Sequence, residues 1–442
     1  MDMPDSPPHS MKTFWVIWFG QFISVIGSGL TGFALGVWIY EHTGQATPFA
    51  LTALFATLPR IVLMPIAGSW ADRFNRRTLM ILSDCGAAIA TAVTAALLFL
   101  GDLQIWHIYL LTLVSTIFST FQEPAYMAST TMLVPKKDLA RAGGVAQMGF
   151  SLQAILTPLL AGALYGVIGL RGIILIDALT FVVAVGALLL VQIPQPRPLV
   201  AKGPEEKPSL LADMALGWNY LRTRPGLLWL LLYFASVNFF LSLSGVLAGP
   251  LVLSFGSATD MGIVQMVGGA AMLLGGIVMS AWGGPKHRVP GVIAFIALAS
   301  LGYLITGLRA SVPFIAAGRF VLLFCIPFAA ALSQVVFQTK VPPSLQGRVF
   351  SIRAMIASSS MPLAQVLAGP AADRVFEPLL REGGALGQTF IGTWLGVGPG
   401  RGIALLFVIS WLFLSVESLI AFAAPRIRRL ADEIPDALPD AP

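Results

Sequence analysis

Six ionisable residues stand inside long apolar runs: Arg60, Asp84, Glu123, Asp177, Arg319 and Glu417. A charge in hydrocarbon costs at least a few kcal/mol, so each is a candidate for function. Glu123 lies twelve residues before Pro135, roughly 18 Å from the end of its run at helical rise. A carboxylate at that depth can load and release a proton, or it can serve as a hydrogen-bond or ion-pair partner to a neighbouring helix. Arg60 lies twelve residues before Asp72, at about the same depth. Equal depth makes an Arg60–Glu123 pair feasible. A proton or a cationic solute could compete with Arg60 for the carboxylate, which would couple the two; a static pair would only fix helix packing. Asp177, five residues into its run, reads as a structural hydrogen bond or as part of a proton path with Glu123 and Arg60. Arg319, six residues into its run, either binds an anionic group or snorkels to the nearer surface. Glu417 reads as structural.

A second charged cluster sits between two apolar runs: Gly68-Ser69-Trp70-Ala71-Asp72-Arg73-Phe74-Asn75-Arg76-Arg77. An acid and three arginines in so short a turn can tie two helices together at a water boundary. Asp84, just inside the next run, is expected to face these arginines and join the latch.

The rest of the chain must position these groups. Of its 442 residues 56% are hydrophobic and 11% charged, and its mean hydropathy is +0.82. Soluble domains carry about 25% charged residues, so lipid is the main solvent here. Twelve runs reach membrane length: roughly 13–38, 47–70, 78–100, 105–128, 141–168, 172–192, 227–254, 261–282, 289–308, 313–335, 348–374 and 401–424. This is an all-α polytopic membrane protein with both ends on one side. Of its 27 Lys and Arg, five (Arg171, Arg309, Arg374, Arg381, Arg401) fall outside, and Arg60 and Arg319 lie within spans. The others lie on the inner side, so both termini are read as cytoplasmic in the plasma (inner) membrane. Met1–Ser10 is polar, and the first run is long enough to be retained rather than cleaved as a signal. The proline-rich, charged stretch after span six reads as a cytoplasmic linker. Domains are thus expected at 1–192, 193–225 and 226–442. Leu210 to Leu221 reads as a short amphipathic helix, on the membrane or within the linker.

Several chemistries are excluded. The scattered basic residues form no patch for nucleic acid. No phosphate-binding Gly-x-x-x-x-Gly-Lys-Ser/Thr loop occurs. Cys85 and Cys325 lie in separate apolar runs with no metal-ligand spacing. No Ser/His/Asp cluster is apparent. Neither catalysis nor a cofactor or metal is expected.

The two halves are related. Sliding the chain on itself lays Val134-Pro135 on Val341-Pro342. In the same register Arg141 meets Arg348, Met148 meets Met355, and Leu160-Ala161-Gly162 meets Leu367-Ala368-Gly369. Two parallel six-helix repeats resemble the major facilitator superfamily. Gly68, Asp72, Arg73, Arg76 and Arg77 match that family's turn motif between helices 2 and 3 position by position. The second copy, Gly283 to Arg288, keeps no acid. Leu58-Pro59-Arg60, Phe121-Gln122-Glu123-Pro124-Ala125 and Ile176-Asp177-Ala178-Leu179-Thr180-Phe181 resemble the drug:proton antiporter branch with macrolide and siderophore exporters. Thr157-Pro158-Leu159-Leu160-Ala161-Gly162 departs from that branch, keeping the proline and one glycine of its span-5 motif.

The resemblance implies the two-bundle major facilitator fold. It implies a secondary active exporter of bulky amphipathic molecules, coupled to protons, with Gly68, Asp72, Arg73, Arg76, Arg77 and Asp84 gating the inner side. Export of a siderophore, flipping of a lysolipid, or a non-transporting receptor on the same fold are the alternatives. Phe33, Trp38, Phe118, Tyr126, Met127, Gln153, Asn238, Arg319 and Gln334 are the candidate cavity residues. The expected partners are the lipid bilayer, a small-molecule substrate and protons, with the chain acting as a monomer.

Overall fold

The computed structural model describes residues 11–191, 193 and 210–424. Within these, the side chains of Asp72, Lys136, 210–214, Pro343 and Ser344 lie outside the description, as does most of the expected linker before residue 210. All regular elements among the described residues are helical. They are α1 (Met11–Thr43), α2 (Ala46–Arg73), α3 (Arg76–Leu100), α4 (Ile105–Leu133), α5 (Leu139–Leu190), α6 (Leu210–Arg222), α7 (Pro225–Leu253), α8 (Ala258–Trp282), α9 (Arg288–Leu308), α10 (Val312–Lys340), α11 (Pro343–Pro370), α12 (Glu377–Leu379), α13 (Phe390–Leu395) and α14 (Arg401–Ala423).

Ten of the helices among the described residues are long and apolar enough to cross a membrane. The sequence reads twelve such runs. One source of the difference is α5, whose 52 residues take in both the fifth and sixth runs. Its helical path breaks at Gly169, where φ is 63° and ψ is −173°. A residue with a Cβ rarely adopts that backbone, so glycine marks the corner between two spans. The other is α11, the eleventh run, which falls outside the ten. Its arginines and serines lower its hydropathy, and a π-helical turn at Ala371–Phe376 extends it.

Contacts divide the chain into two units. One is Met1–Leu199 with Gly256–Met266; the other is Val200–Phe255 with Val267–Pro442. In the first, α1 packs on α5, and α3 packs on α4 and on the second half of α5. In the second, α7 packs on α11, and α9 packs on α10 and α14. The same pairing recurs in each unit, as a duplicated chain requires. Lipid gives helices no hydrophobic reason to associate, so close approach and polar contacts must do it. Gly27 of α1 is one such approach: a Cβ there would collide with Thr180 and Asp177 of α5.

In the second unit α6 is a docked helix. Its Gly217 lies against Arg348 and Ile352 of α11, and Tyr220 Oη donates to the Lys340 carbonyl at 2.7 Å. The start of α14 is capped from α12. Glu377 accepts from the backbone N–H groups of Gly400 at 3.2 Å and Ile403 at 3.0 Å, taking up donors a helix start leaves free. Glu377→Ala is expected to lower stability by about 1 kcal/mol. Thermal unfolding in detergent would read this as a lower Tm, and an unchanged Tm would remove the capping role.

Candidate functional site

The first unit joins Arg60 to Glu123. The Arg60 Nη2 donates to Glu123 Oε2 at 2.5 Å, from α2 to α4. The two side chains are 54% and 34% exposed, so neither is sealed into helix packing. Each stands beside a helix-interior proline, Pro59 or Pro124. A proline lacks the N–H for the i→i−4 bond, which leaves its helix easier to bend there.

Directly behind Glu123 is a buried polar cluster. Gln122 Nε2 donates to Asp84 Oδ1 at 3.0 Å, and Gln21 Nε2 donates to Asp84 Oδ2 at 2.9 Å. Gln122 Nε2 also donates to Gln21 Oε1 at 2.5 Å. The three residues tie α1, α3 and α4 together one position from the ion pair. This corrects the expectation that Asp84 faces the arginines of the turn. Asp84 lies two turns beyond Arg77 along α3, roughly 10 Å away at helical rise. The arginines find nearer acceptors.

Those acceptors are backbone carbonyls. Arg76 is buried; its Nη1 donates to the Ala128 carbonyl at 2.7 Å and its Nε to that of Ala71 at 3.3 Å. Arg77 donates from Nε to the Leu188 carbonyl and from Nη2 to that of Leu189, both at 2.8 Å. Leu188 and Leu189 end α5, where unpaired carbonyls and the negative end of the helix dipole favour a cation. The turn thus ties α3 to α2, α4 and α5. Asn75 begins α3 by accepting from the Thr78 N–H at 3.1 Å. Arg73 is exposed, Gly68 is half-buried one turn earlier in α2, and the Asp72 side chain lies outside the described residues.

Asp177 is buried in hydroxyls. Ser28 of α1 and Thr91 of α3 each donate to it at 3.3 Å, and Thr180 sits at 3.4 Å. It shares no partner with Arg60 or Glu123, so the structure does not bring together the three residues read as one proton path. Glu417 accepts from Ser236 at 2.8 Å, joining α14 to α7.

The candidate cavity residues divide. Met127 is exposed, and Gln153 and Asn238 are half-buried. Tyr126 packs on the first unit's core. Phe33 is buried. Phe118 packs α4 against Gly86 of α3, and Trp38 stacks on His42 at 3.9 Å. Gln334 accepts from Arg353 Nη1 at 2.7 Å. Arg319 is buried and bonds inward to Ser244 at 3.3 Å, which corrects the snorkelling alternative. Sequence reasoning did not single out Gln21, Gln122, Ser244 or Arg353. Gln122 had a signal, an amide adjoining Glu123 in an apolar run. The others carried none beyond being polar.

Residues 17–365 match the family described as the Major Facilitator Superfamily. The chain is 29% identical to macrolide efflux protein A of Streptococcus pyogenes over 371 residues, covering 82% of this chain and 90% of that protein. It is 26% identical to the enterobactin exporter EntS of Salmonella typhi over 347 residues, covering 76% and 80%. A bacterial homologue of the human lysosomal transporter Spinster, in an inward-facing and unoccupied conformation, superposes with a TM-score of 0.73 at 17% identity, covering 99% of this chain and all of that one.

The geometry separates a structural carboxylate from an open one. Asp177→Ala would strand several buried hydroxyls and should cost about 2 kcal/mol or more. Glu123→Gln should leave stability nearly unchanged, since exposed ion pairs contribute little. Denaturation midpoints of the two purified variants check this; equal losses would refute the distinction.

Proposed function

Since the chain belongs to the major facilitator superfamily, we propose that it exports a bulky amphipathic small molecule by alternating access, driven by proton antiport at Glu123. It is a membrane transporter and not an enzyme. One observation carries the coupling reading: an ion pair at about mid-span is left open. Facing lipid, such charges would be costly. They therefore face water beside α2 and α4, where protons and solutes can arrive.

A proton on Glu123 removes the charge that holds Arg60. A cationic group can do the same by taking the carboxylate for itself. Proton and substrate then compete for one acceptor, which is what exchange requires. The flanking prolines let α2 and α4 bend as the pair parts. The Gln21–Asp84–Gln122 cluster holds the backbone behind Glu123, so the change stays local to the pair.

Gating is assigned to the turn, with Asp72, Arg73 and Gly68 completing what Arg76 and Arg77 begin. Closing the inner side would hold the outward-facing state. The chain would work as a monomer in the cell membrane, as two six-helix bundles joined by the 193–225 linker, with both termini cytoplasmic. The efflux and exporter names of the relatives support the outward direction.

The test uses proteoliposomes loaded with a radiolabelled macrolide. Glu123→Gln is expected to lose about ten-fold or more of the pH-gradient-driven flux, while binding of the same macrolide is retained. Normal gradient-driven flux in that variant would overturn the coupling role. Arg77→Ala should shift spin-label distances across the inner side toward the open state, and unchanged distances would remove the latch.

A further inference from the structure

Arg319 carries more hydrogen-bonding capacity than its surroundings use. It stands roughly 10 Å into α10 and is only 8% exposed. Its sole hydrogen bond among the described residues runs from Nη1 to Ser244 Oγ of α7 at 3.3 Å. Nε is buried with no partner. No carboxylate among the described residues forms an ion pair with it. A guanidinium taken out of water without a counter-charge is strongly unfavourable, and other buried charges in proteins are paired.

The surroundings suit an incoming anion. Nε and Nη2 share one edge of the guanidinium, the edge that engages a carboxylate through two parallel bonds. Near Nε stands Gly268 of α8; a Cβ built there would lie 3.9 Å from Nε and 2.7 Å from Leu323 Cδ1. Tyr303 of α9 lies beside Ser244 and Arg319 and is itself fully buried. Ser244 passes its own proton to the Leu241 carbonyl at 3.1 Å, which leaves its oxygen to accept from Arg319. Four helices of the second unit thus converge on a cation whose Nε–H is unanswered.

We propose that Arg319, held by Ser244, is an anion-recognition site that binds the carboxylate or comparable acidic group of an amphipathic organic substrate. This rests on the export reading above and names part of the substrate class.

The probes are N-dansyl-L-phenylalanine and its methyl ester, which differ in the anionic group. Binding is measured on the purified full-length chain in detergent, comparing wild type with Arg319→Gln. The acid is expected to bind the variant about ten-fold more weakly, the loss of a charge-assisted bond pair, while the ester binds both proteins alike. Absence of acid binding to the wild type, an unchanged acid affinity in the variant, or an equal loss for the ester would overturn the site. Thermal protection by chloride, with no discrimination of acid from ester, would also overturn it by assigning Arg319 to an inorganic anion.

Should Arg319→Gln not give a monodisperse protein, Arg319→Lys carries the test. It keeps the charge but not the fork, so acid affinity should fall several-fold with ester affinity unchanged. No change in acid affinity would overturn the site. None of these measurements uses a pH gradient or Glu123. Failure of proton-coupled export with the acid preference intact would count against the export reading alone, and the reverse result against Arg319 alone.

Discussion

In hydrocarbon, a polar group that finds no partner in the protein finds none at all. This constraint accounts for most of the contacts described above. Asp84 is answered by two amides from two other helices, and Asp177 by hydroxyls from α1, α3 and its own helix. Each buried carboxylate thereby becomes a fastener, since its partners must come from neighbours. In a membrane, where burial of apolar surface gives helices little reason to associate, such fasteners and close small-residue contacts set the arrangement.

The turn arginines obey the same rule from the other side. Helix ends expose carbonyls that need donors. Arg77 supplies two at the end of α5, and Arg76 reaches carbonyls of α2 and α4. A short basic segment thereby holds four helices at one level. Arg77 acts as a cap shared between α3 and α5, and a cap shared between helices can be released as a unit.

Arg60 and Glu123 stand apart because their pairing is not enclosed. The pair is as deep in its helices as a structural ion pair would be, yet both groups remain accessible. Arg319 is the converse: enclosed, but not answered by a carboxylate among the described residues. In both places, one in each unit, a charged group keeps polar capacity not committed to helix packing.

Periodicity and hydropathy determined the helical class, nearly all of the span positions and the duplication, because apolar length and repeated motifs are local properties of a chain. The turn motif was likewise legible as a contiguous string, and equal distance from the water boundary was enough to match Arg60 with Glu123. Partner choice elsewhere was not legible. Asp84 lies two turns from Arg77 in sequence, but its partners come from residues 21 and 122. Phe33 is buried, and a helix shows which face is apolar but not which neighbour covers it. Arg319 looked able to snorkel; Ser244 on another helix turned it inward. A side chain's depth follows from counting residues at 1.5 Å each, whereas its direction depends on helix rotation and packing, which only the folded arrangement of several helices decides.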